Sequence, residues 1–200
     1  CLDCYLNLPR TKFKSFYFNL ATERLEGRFP LVMGYALLHF EKHSMVQKLI
    51  HGLKYKGERH TGYLLGQLLG REFVQNHEFK SIDLLIPIPL HPKKQIQRGY
   101  NQSELIGKGM AEVMNKPIMC DVLKKEINTN TQTNKSRADR LSNVTNVFSL
   151  INEKAIEGKH ILIVDDILTT GATIEAAATV LLEAKNVRIS FATVAMAALS

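Results

Sequence analysis

Cysteine is scarce in this chain, which has three among its 200 residues. A count that is both odd and small does not supply the disulfide framework of a small secreted domain. The sequence also lacks a signal peptide, internal repeats and a membrane span, since its longest apolar stretch, residues 187–199, is too short to cross a bilayer. We therefore expect a cytoplasmic protein with no membrane span.

The chain contains enough hydrophobic residues, 45% of the total, to form one folded domain with a sizeable core. Strand and helix patterns alternate, which predicts an α/β fold. The strands are predicted near residues 31–40, 82–88, 118–125, 147–151, 160–165 and 187–197. The helices are predicted near residues 44–55, 59–76, 103–115 and 172–185.

The most informative segment runs from Ile161 to Thr173, ILIVDDILTTGAT. Its four leading aliphatic residues are typical of a strand that is covered on both faces. Asp165 and Asp166 follow at the carboxyl end, the edge at which open α/β sheets bind ligands. In the next turn Gly171 permits a tight backbone, and the helix that opens near Thr173 points free N–H groups at an anion.

Two carboxylates would repel a bare phosphate, but a sugar phosphate satisfies both parts of the segment. The loop would hold the phosphate while the acids accept charge-assisted hydrogen bonds from ribose hydroxyls. The sequence therefore predicts a ribose 5-phosphate site. Its ribose side is assigned to Asp165 and Asp166, and its phosphate side to Thr169, Thr170, Gly171, Ala172 and Thr173.

A second group of motifs follows the apolar run Ile82–Leu90. Pro87 and Pro89 cannot extend a strand's hydrogen-bond ladder, so the chain is predicted to leave the sheet there as a loop. Lys93, Lys94 and Arg98 would add positive charge beside that loop, although exposed lysines are usually only solvated. Ser103 is the predicted N-cap of the helix that comes next.

Four ordered blocks together resemble the ComF family of type I phosphoribosyltransferase-like proteins. The segment Ile161–Thr173 resembles the phosphoribosyl pyrophosphate (PRPP) site of type I phosphoribosyltransferases. Residues 87–92, PIPLHP, and 98–102, RGYNQ, resemble a family signature whose usual form is RGFNQ. His51–Tyr55, HGLKY, resembles a lysine-tyrosine segment, and a last block is spaced like the family's through Thr129, Gln132, Arg140, Asn143 and Phe148.

The resemblance implies a type I phosphoribosyltransferase fold, with a mostly parallel twisted sheet and helices on both faces. Residues 31–200 would form this domain, divided into a hood at 31–76 and a PRPP-binding core at 77–200. PRPP would be taken with Mg²⁺, and the loop carrying Pro89 and Arg98 would hold its pyrophosphate. The polar segment between Glu126 and Val147 would be a flap, and the resemblance makes Arg140 catalytic together with Asp165 and Asp166.

The family often carries a four-cysteine zinc ribbon before this domain, and residues 1–30 look like the second half of one. Cys1 and Cys4 would then be zinc ligands. Two thiolates do not complete a tetrahedral zinc site, so we expect zinc only where the ribbon is complete.

Two other families share single features with the chain. Response-regulator receivers have a similar strand with two acids, but near their start and followed by further strands. Amidophosphoribosyltransferases place a nucleophilic N-terminal cysteine before a PRPP domain, but they need a whole glutaminase domain in between, for which the residues before the first core strand are too few.

The net charge of +7 favours a polyanionic partner, which PRPP or another ribose 5-phosphate already supplies. Further basic residues surround Tyr55, a candidate stacking platform for single-stranded DNA: Lys42, Lys48, Lys54, Lys56, Arg59 and His60. The resembled family acts in DNA uptake by competent bacteria, which implies single-stranded DNA and membrane-associated uptake machinery as partners. Three functions stay open: a phosphoribosyltransferase with an unidentified acceptor, a PRPP-sensing DNA-associated factor, and a PRPP-responsive regulator.

Overall fold

A four-stranded, wholly parallel sheet forms the centre of the computed structural model, which describes residues 2–126 and 147–198. Its strand order is β1-β6-β5-β2. These strands are β1 (Leu31–Phe40), β2 (Leu84–Pro87), β5 (His160–Leu168) and β6 (Arg188–Ala197). The short strands β3 (Leu123–Lys125) and β4 (Phe148–Leu150) pair antiparallel in a second sheet.

The helices of the described residues are α1 (Leu2–Leu6), α2 (Leu20–Glu23), α3 (Met45–Tyr55), α4 (Arg59–Val74), α5 (Pro92–Arg98), α6 (Gln102–Met114) and α7 (Ala172–Leu181), with a 3₁₀ turn at His77–Ser81. Within the two described ranges, none of them is long and apolar enough to cross a membrane.

Both faces of the central sheet are covered, as the aliphatic run in β5 predicts. Alternate side chains of a strand point to opposite faces. Leu162 and Val164 therefore pack into the cluster formed with α3, α4 and α6, whereas Ile161 and Ile163 pack into the one formed with α2 and α7. All four are fully buried. The predicted α/β class, with helices on both faces of a parallel sheet, is confirmed.

The helices α4 and α6 approach each other very closely, and this contact positions the start of α6. A Cβ atom built on Gly66 would lie 2.0 Å from the carbonyl oxygen of Ile106. Only glycine fits at that distance, because nothing in the neighbouring backbone can yield. The close packing of α4 against α6 fixes where α6 begins, and its first residues lie next to the edge of the sheet.

Strand β1, in the segment that the sequence assigns to the hood, lies at one edge of the central sheet, and the division into hood and core stays a prediction. The strand pairs parallel with β6 from Leu31 to Phe40, and Met33 to Leu38 are buried. A run of residues buried on both faces needs neighbours on both faces, and the two core clusters supply them, with Tyr35 and Leu37 in one and Ala36 in the other. Of the predicted strand 118–125, only Leu123–Lys125 is a strand, while Ile118 makes one isolated bridge to Leu85.

Helix α5 replaces most of the loop that the sequence predicts after Pro89. Its start has ordinary helix signals, since Pro92 is the first helical residue and the His91 side chain accepts a hydrogen bond from the Lys93 N–H. Gly99 ends it with a left-handed conformation, φ 75°. The true loop is limited to residues 88–91.

The N-terminal segment begins with the short helix α1, in which Cys4 is exposed. Cys1 lies outside the described residues. Across 2–126 and 147–198 there is no group of three histidine, cysteine, aspartate or glutamate residues that could hold a metal ion. The half-ribbon and its zinc ligands stay predictions.

Candidate functional site

A cleft of about 260 Å³ opens at the carboxyl edge of the sheet, above β2 and β5. Of the sequence-predicted site residues, it is lined by Asp165, Asp166, Thr169, Thr173, Pro89 and Arg98. A second cavity of about 220 Å³ adjoins it and shares Lys54, Tyr55, Lys94 and Arg98 with its lining. Each cavity alone is smaller than the ~300–1,000 Å³ typical of ligand pockets, and the two together fall within that range.

Asp165 is held on the floor of the cleft by two hydrogen bonds to the same oxygen. Its Oδ1 accepts from the Ser103 hydroxyl at 2.8 Å and from the Asp166 N–H at 2.9 Å. Burial, and next the charge of Asp166, raise the pKa of Asp165 from 3.8 to about 7. The raised pKa favours the protonated form of this carboxyl group to a higher pH than in a free aspartate, and in that form it can donate as well as accept a hydrogen bond.

Asp166 lies beside it and forms an ion pair with a lysine from α3. Lys54 Nζ is 2.9 Å from Asp166 Oδ2, and the Asp166 side chain is only 4% exposed. The two groups form an ion pair but no hydrogen bond, because Oδ2 has no partner at a hydrogen-bonding angle among the described residues. Asp166 Oδ2 is therefore buried beneath the Lys54 ammonium group and engaged by its charge, without a hydrogen bond among the described residues.

The RGYNQ segment and Ser103 lie next to the acids, and Arg98 and Gln102 of that segment line the cleft. Asn101, and not the predicted Ser103, caps α6, because its Oδ1 accepts from the Ser103 N–H at 3.0 Å. The Asn101 Nδ2 donates to the Ile88 carbonyl at 2.9 Å, which fixes the loop beside Pro89. Because Asn101 caps the helix, the Ser103 hydroxyl is free to donate to Asp165 and position it.

Arg98 and Tyr100 from the same segment tie the cleft to α3. Arg98 donates to the Gln102 side chain and lies over the Tyr55 ring, 5.5 Å from its centroid. The Tyr100 hydroxyl donates to the Leu53 carbonyl. The tyrosine that replaces the family's usual phenylalanine thus adds a bond that holds the backbone next to Lys54.

The loop Thr169–Thr173, here called the phosphate loop, faces solvent with its side chains. Thr169, Thr170, Ala172 and Thr173 are exposed, while Gly171 is buried with φ 85°. The N-cap residue of α7 is Gly171, which has no side chain to cap the helix. The Ala172 N–H makes only a long hydrogen bond, 3.4 Å, to the Thr170 hydroxyl, so a helix N-terminus suited to an anion lies at this end of the cleft.

Two arginines from the N-terminal segment donate hydrogen bonds to backbone carbonyls of the phosphate loop. The Arg24 Nη1 donates to the Thr169 carbonyl at 2.8 Å, and the Arg28 Nη1 donates to the Thr170 carbonyl at 2.9 Å. With its carbonyls held in this way, the loop can turn its N–H groups and hydroxyls toward a ligand. No sequence pattern marks these arginines, because their partners lie far along the chain.

Four cationic side chains surround the two acids of the cleft: Lys54, Lys94, Arg98 and Lys125. Burial lowers the pKa of Lys125, which the neighbouring Asp165 partly offsets. Lys93 is exposed on α5 and is not part of the lining. The excess of positive charge suits a ligand that carries several negative charges.

Sequence reasoning missed the part that Lys54 and Ser103 play in this cleft. Lys54 was assigned to a basic surface, and Ser103 to a helix cap, whereas both contact the acids. The HGLKY segment gives a signal for Lys54, although not for its partner. Arg140, like Thr129, Gln132 and Asn143, lies outside the described residues, so its catalytic assignment stays a prediction.

Comparison with known proteins assigns the fold of this region. Residues 101–198 match the family model of the phosphoribosyl transferase domain. That range contains the phosphate loop, both acids and Ser103.

Similar proteins cover more of the chain. It is 31% identical over 130 residues to competence protein F of Haemophilus influenzae, covering 63% of this chain and 57% of that protein. It is 30% identical over 137 residues to the DNA utilization protein YhgH of Escherichia coli K12, covering 67% and 60% respectively. It is 36% identical over 100 residues to competence protein ComFC of Bacillus subtilis, covering 50% and 38%.

The matched regions therefore span at most 60% of the length of these three relatives. Within that span, the parallel sheet, the phosphoribosyl transferase domain and the similarity to competence proteins agree. The chain therefore has the type I phosphoribosyltransferase fold and is similar to competence proteins of the ComF family.

Proposed function

We propose that this protein binds PRPP in the cleft, with the 5′-phosphate on the phosphate loop and the ribose hydroxyls on Asp165 and Asp166. The observation that carries the proposal is the placement of two buried acids beside an exposed loop at one sheet edge. The acids suit neutral hydroxyls, and the uncapped start of α7 suits an anion. One ligand that carries both groups explains why they lie together.

The pyrophosphate of PRPP would lie toward Lys94, Arg98 and the loop at Pro89. An arginine matches the geometry of phosphate oxygens, and Arg98 is already oriented by Gln102. We propose that Mg²⁺ arrives as part of the substrate, held by pyrophosphate, ribose hydroxyls and water. The donor set fits this role, since Ser103 and Lys54 already engage the two carboxylates and no third acid joins them among the described residues.

The proposed family role is a PRPP-binding factor in competence and single-stranded DNA uptake. A phosphoribosyltransferase with an unidentified acceptor is the alternative, in which Arg140 would stabilise the departing pyrophosphate. A PRPP-sensing regulator is the third. Turnover separates them, because only the transferase releases pyrophosphate when an acceptor is present.

Replacing Asp166 with asparagine tests the PRPP site. A lost charge-assisted hydrogen bond costs about 1.5–3 kcal/mol, so we expect PRPP with Mg²⁺ to bind roughly 10- to 100-fold more weakly by calorimetry. The matched control is Glu183→Gln, which neutralises an exposed acid just beyond α7 and should bind like the wild type. Wild-type affinity in Asp166→Asn would contradict the ribose role.

A second proposed ligand is single-stranded DNA, at the rim of the same cleft. Tyr55 is 69% exposed, and its ring lies beside both Arg98 and His51, 4.8 Å from the latter's ring. An exposed ring among cations can stack a base while the cations contact its phosphates. The names of the relatives, competence proteins and a DNA utilization protein, support a ligand of DNA type. A membrane-associated uptake machinery as partner is proposed from the family resemblance alone.

Tyr55→Ala should weaken the binding of a labelled oligothymidylate by about 1–3 kcal/mol, measured by fluorescence anisotropy at low salt. Tyr5→Ala is a closely matched control, because Tyr5 is also exposed and also has an arginine, Arg10, over its ring at 5.1 Å. Equal losses in the two variants would mean that Tyr55 is no specific platform. Binding that does not weaken with salt would argue against phosphate contacts altogether.

A further inference from the structure

Lys54 occupies the position that a ribose hydroxyl would need. Its Nζ lies 2.9 Å from Asp166 Oδ2, and with Lys54 in place the Asp166 side chain is only 4% exposed. A hydroxyl must come within about 2.5–3.0 Å of a carboxylate oxygen to form a hydrogen bond. The ammonium group and the ligand therefore compete for the same small space.

The backbone that carries Lys54 is fixed, but its side chain is not. Leu53 is fully buried, and its carbonyl accepts a hydrogen bond from the Tyr100 hydroxyl. The Lys54 side chain is 22% exposed and lines both the cleft and the adjoining cavity. Its flexible four-carbon stem can thus carry the charge from the acids to the side where Lys94 and Arg98 lie.

We infer that Lys54 is an exchangeable counter-ion, which neutralises Asp166 in the empty cleft and moves to the pyrophosphate of PRPP when the ribose displaces it. This inference rests on the proposed PRPP site and adds a specificity device to it. A buried carboxylate that loses its cation is strongly destabilised. The ligand must therefore give Asp166 a hydroxyl and also give Lys54 a new anion.

PRPP meets both requirements, whereas ribose 5-phosphate meets only the first. Ribose 5-phosphate has the hydroxyls for Asp166 and the phosphate for the loop, but no pyrophosphate to receive Lys54. In the wild-type protein it must break the ion pair without compensation. Lys54 thereby discriminates against the hydrolysis product of PRPP, which would otherwise occupy the cleft.

Titration of PRPP with Mg²⁺ and of ribose 5-phosphate into Lys54→Met tests this device. PRPP should bind at least about tenfold more weakly, while ribose 5-phosphate should bind more tightly than to the wild type, because its competitor is gone. Lys54→Arg should keep the wild-type preference. Lys94→Met, a cation of the same cleft with no carboxylate partner in the described residues, should weaken PRPP and leave ribose 5-phosphate unchanged.

The opposite response of the two ligands is what a purely structural lysine would not produce. Equal weakening of both ligands in Lys54→Met, or no change in either, overturns the inference while leaving the PRPP site intact. Absence of PRPP binding by the wild type overturns both proposals. Should Lys54→Met fail to fold, Lys54→Ala, which also removes the ammonium group from Asp166, must show the same split between the ligands.

Discussion

Replacing Asp165 with asparagine is expected to make the protein more stable at alkaline pH. Burial and the neighbouring charge of Asp166 raise the pKa of Asp165 from 3.8 to about 7. At about 1.4 kcal/mol per unit, ionising this group in the folded state costs up to about 4 kcal/mol at pH 8. Asparagine removes that cost, and its Oδ1 can still accept from the Ser103 hydroxyl and the Asp166 N–H.

The pH window follows from the direction of the shift. Between about pH 4 and pH 7 the folded protein keeps the Asp165 proton and the unfolded chain has lost it. The folded state binds more protons there, so the contribution of Asp165 to stability falls as the pH rises through the window. The stability gained by Asp165→Asn should therefore grow by about 3 kcal/mol between pH 5 and pH 8.

Urea unfolding of both proteins at pH 5, 6.5 and 8 measures this difference. Glu183→Gln provides the control, because it neutralises an exposed acid and should give a difference that does not change with pH. A gain in stability for Asp165→Asn that is the same at all three pH values would show that the pKa of Asp165 is not raised by folding. A growing gain would show that the cleft keeps its acid at the expense of stability, as functional sites commonly do.

The sequence alone predicts the parts of this site that depend on local pattern. The aliphatic run of β5 is long enough to identify a strand buried on both faces, and the end of that strand places Asp165 and Asp166 at the ligand edge. Gly171 was predicted to make a tight turn, and it adopts φ 85°. Each of these features is encoded within a few neighbouring residues.

The contacts that tune the acids could not be predicted, because they join residues that are distant in the sequence. Ser103 on α6 and Lys54 on α3 reach Asp165 and Asp166 only after α4 and α6 have packed against the sheet. Local pattern shows that a serine near a helix start can cap it. It does not show that Asn101 takes over the cap and frees the hydroxyl for a carboxylate.

Helices α5 and α2 were not predicted from the sequence, for different reasons. At α5 the prolines correctly ended the strand, but they also suggested a long loop, although Pro92 is well suited to start a helix and Gly99 to end it. At α2 the four residues are too few for a hydrophobic period to appear. Its Asn19 cap and the arginines that follow it therefore carried no sequence signal for the phosphate loop.

Replacing Gly171 with alanine should distort the phosphate loop and destabilise the protein by about 2–5 kcal/mol. A left-handed conformation costs an alanine roughly 1–2 kcal/mol, and overpacking typically adds about 1–3 kcal/mol. Both apply, since Gly171 has φ 85° and a Cβ atom there would lie 2.4 Å from Leu25 Cδ2. The loop must move away from Leu25, and we expect calorimetry to show PRPP binding lost along with stability.

Gly158→Ala separates the two causes, because Gly158 has φ 70° but no described atom within 4 Å of the added Cβ. This variant should lose only the stability that the left-handed backbone costs an alanine, about 1–2 kcal/mol, and should keep the affinity for PRPP. Leu25→Ala, combined with Gly171→Ala, should cost less than the sum of the single variants in urea unfolding, because the clashing methyl group is gone. Additive losses would mean that Leu25 does not shape the loop, whereas a coupled loss would show that the N-terminal segment sets the position of the phosphate loop.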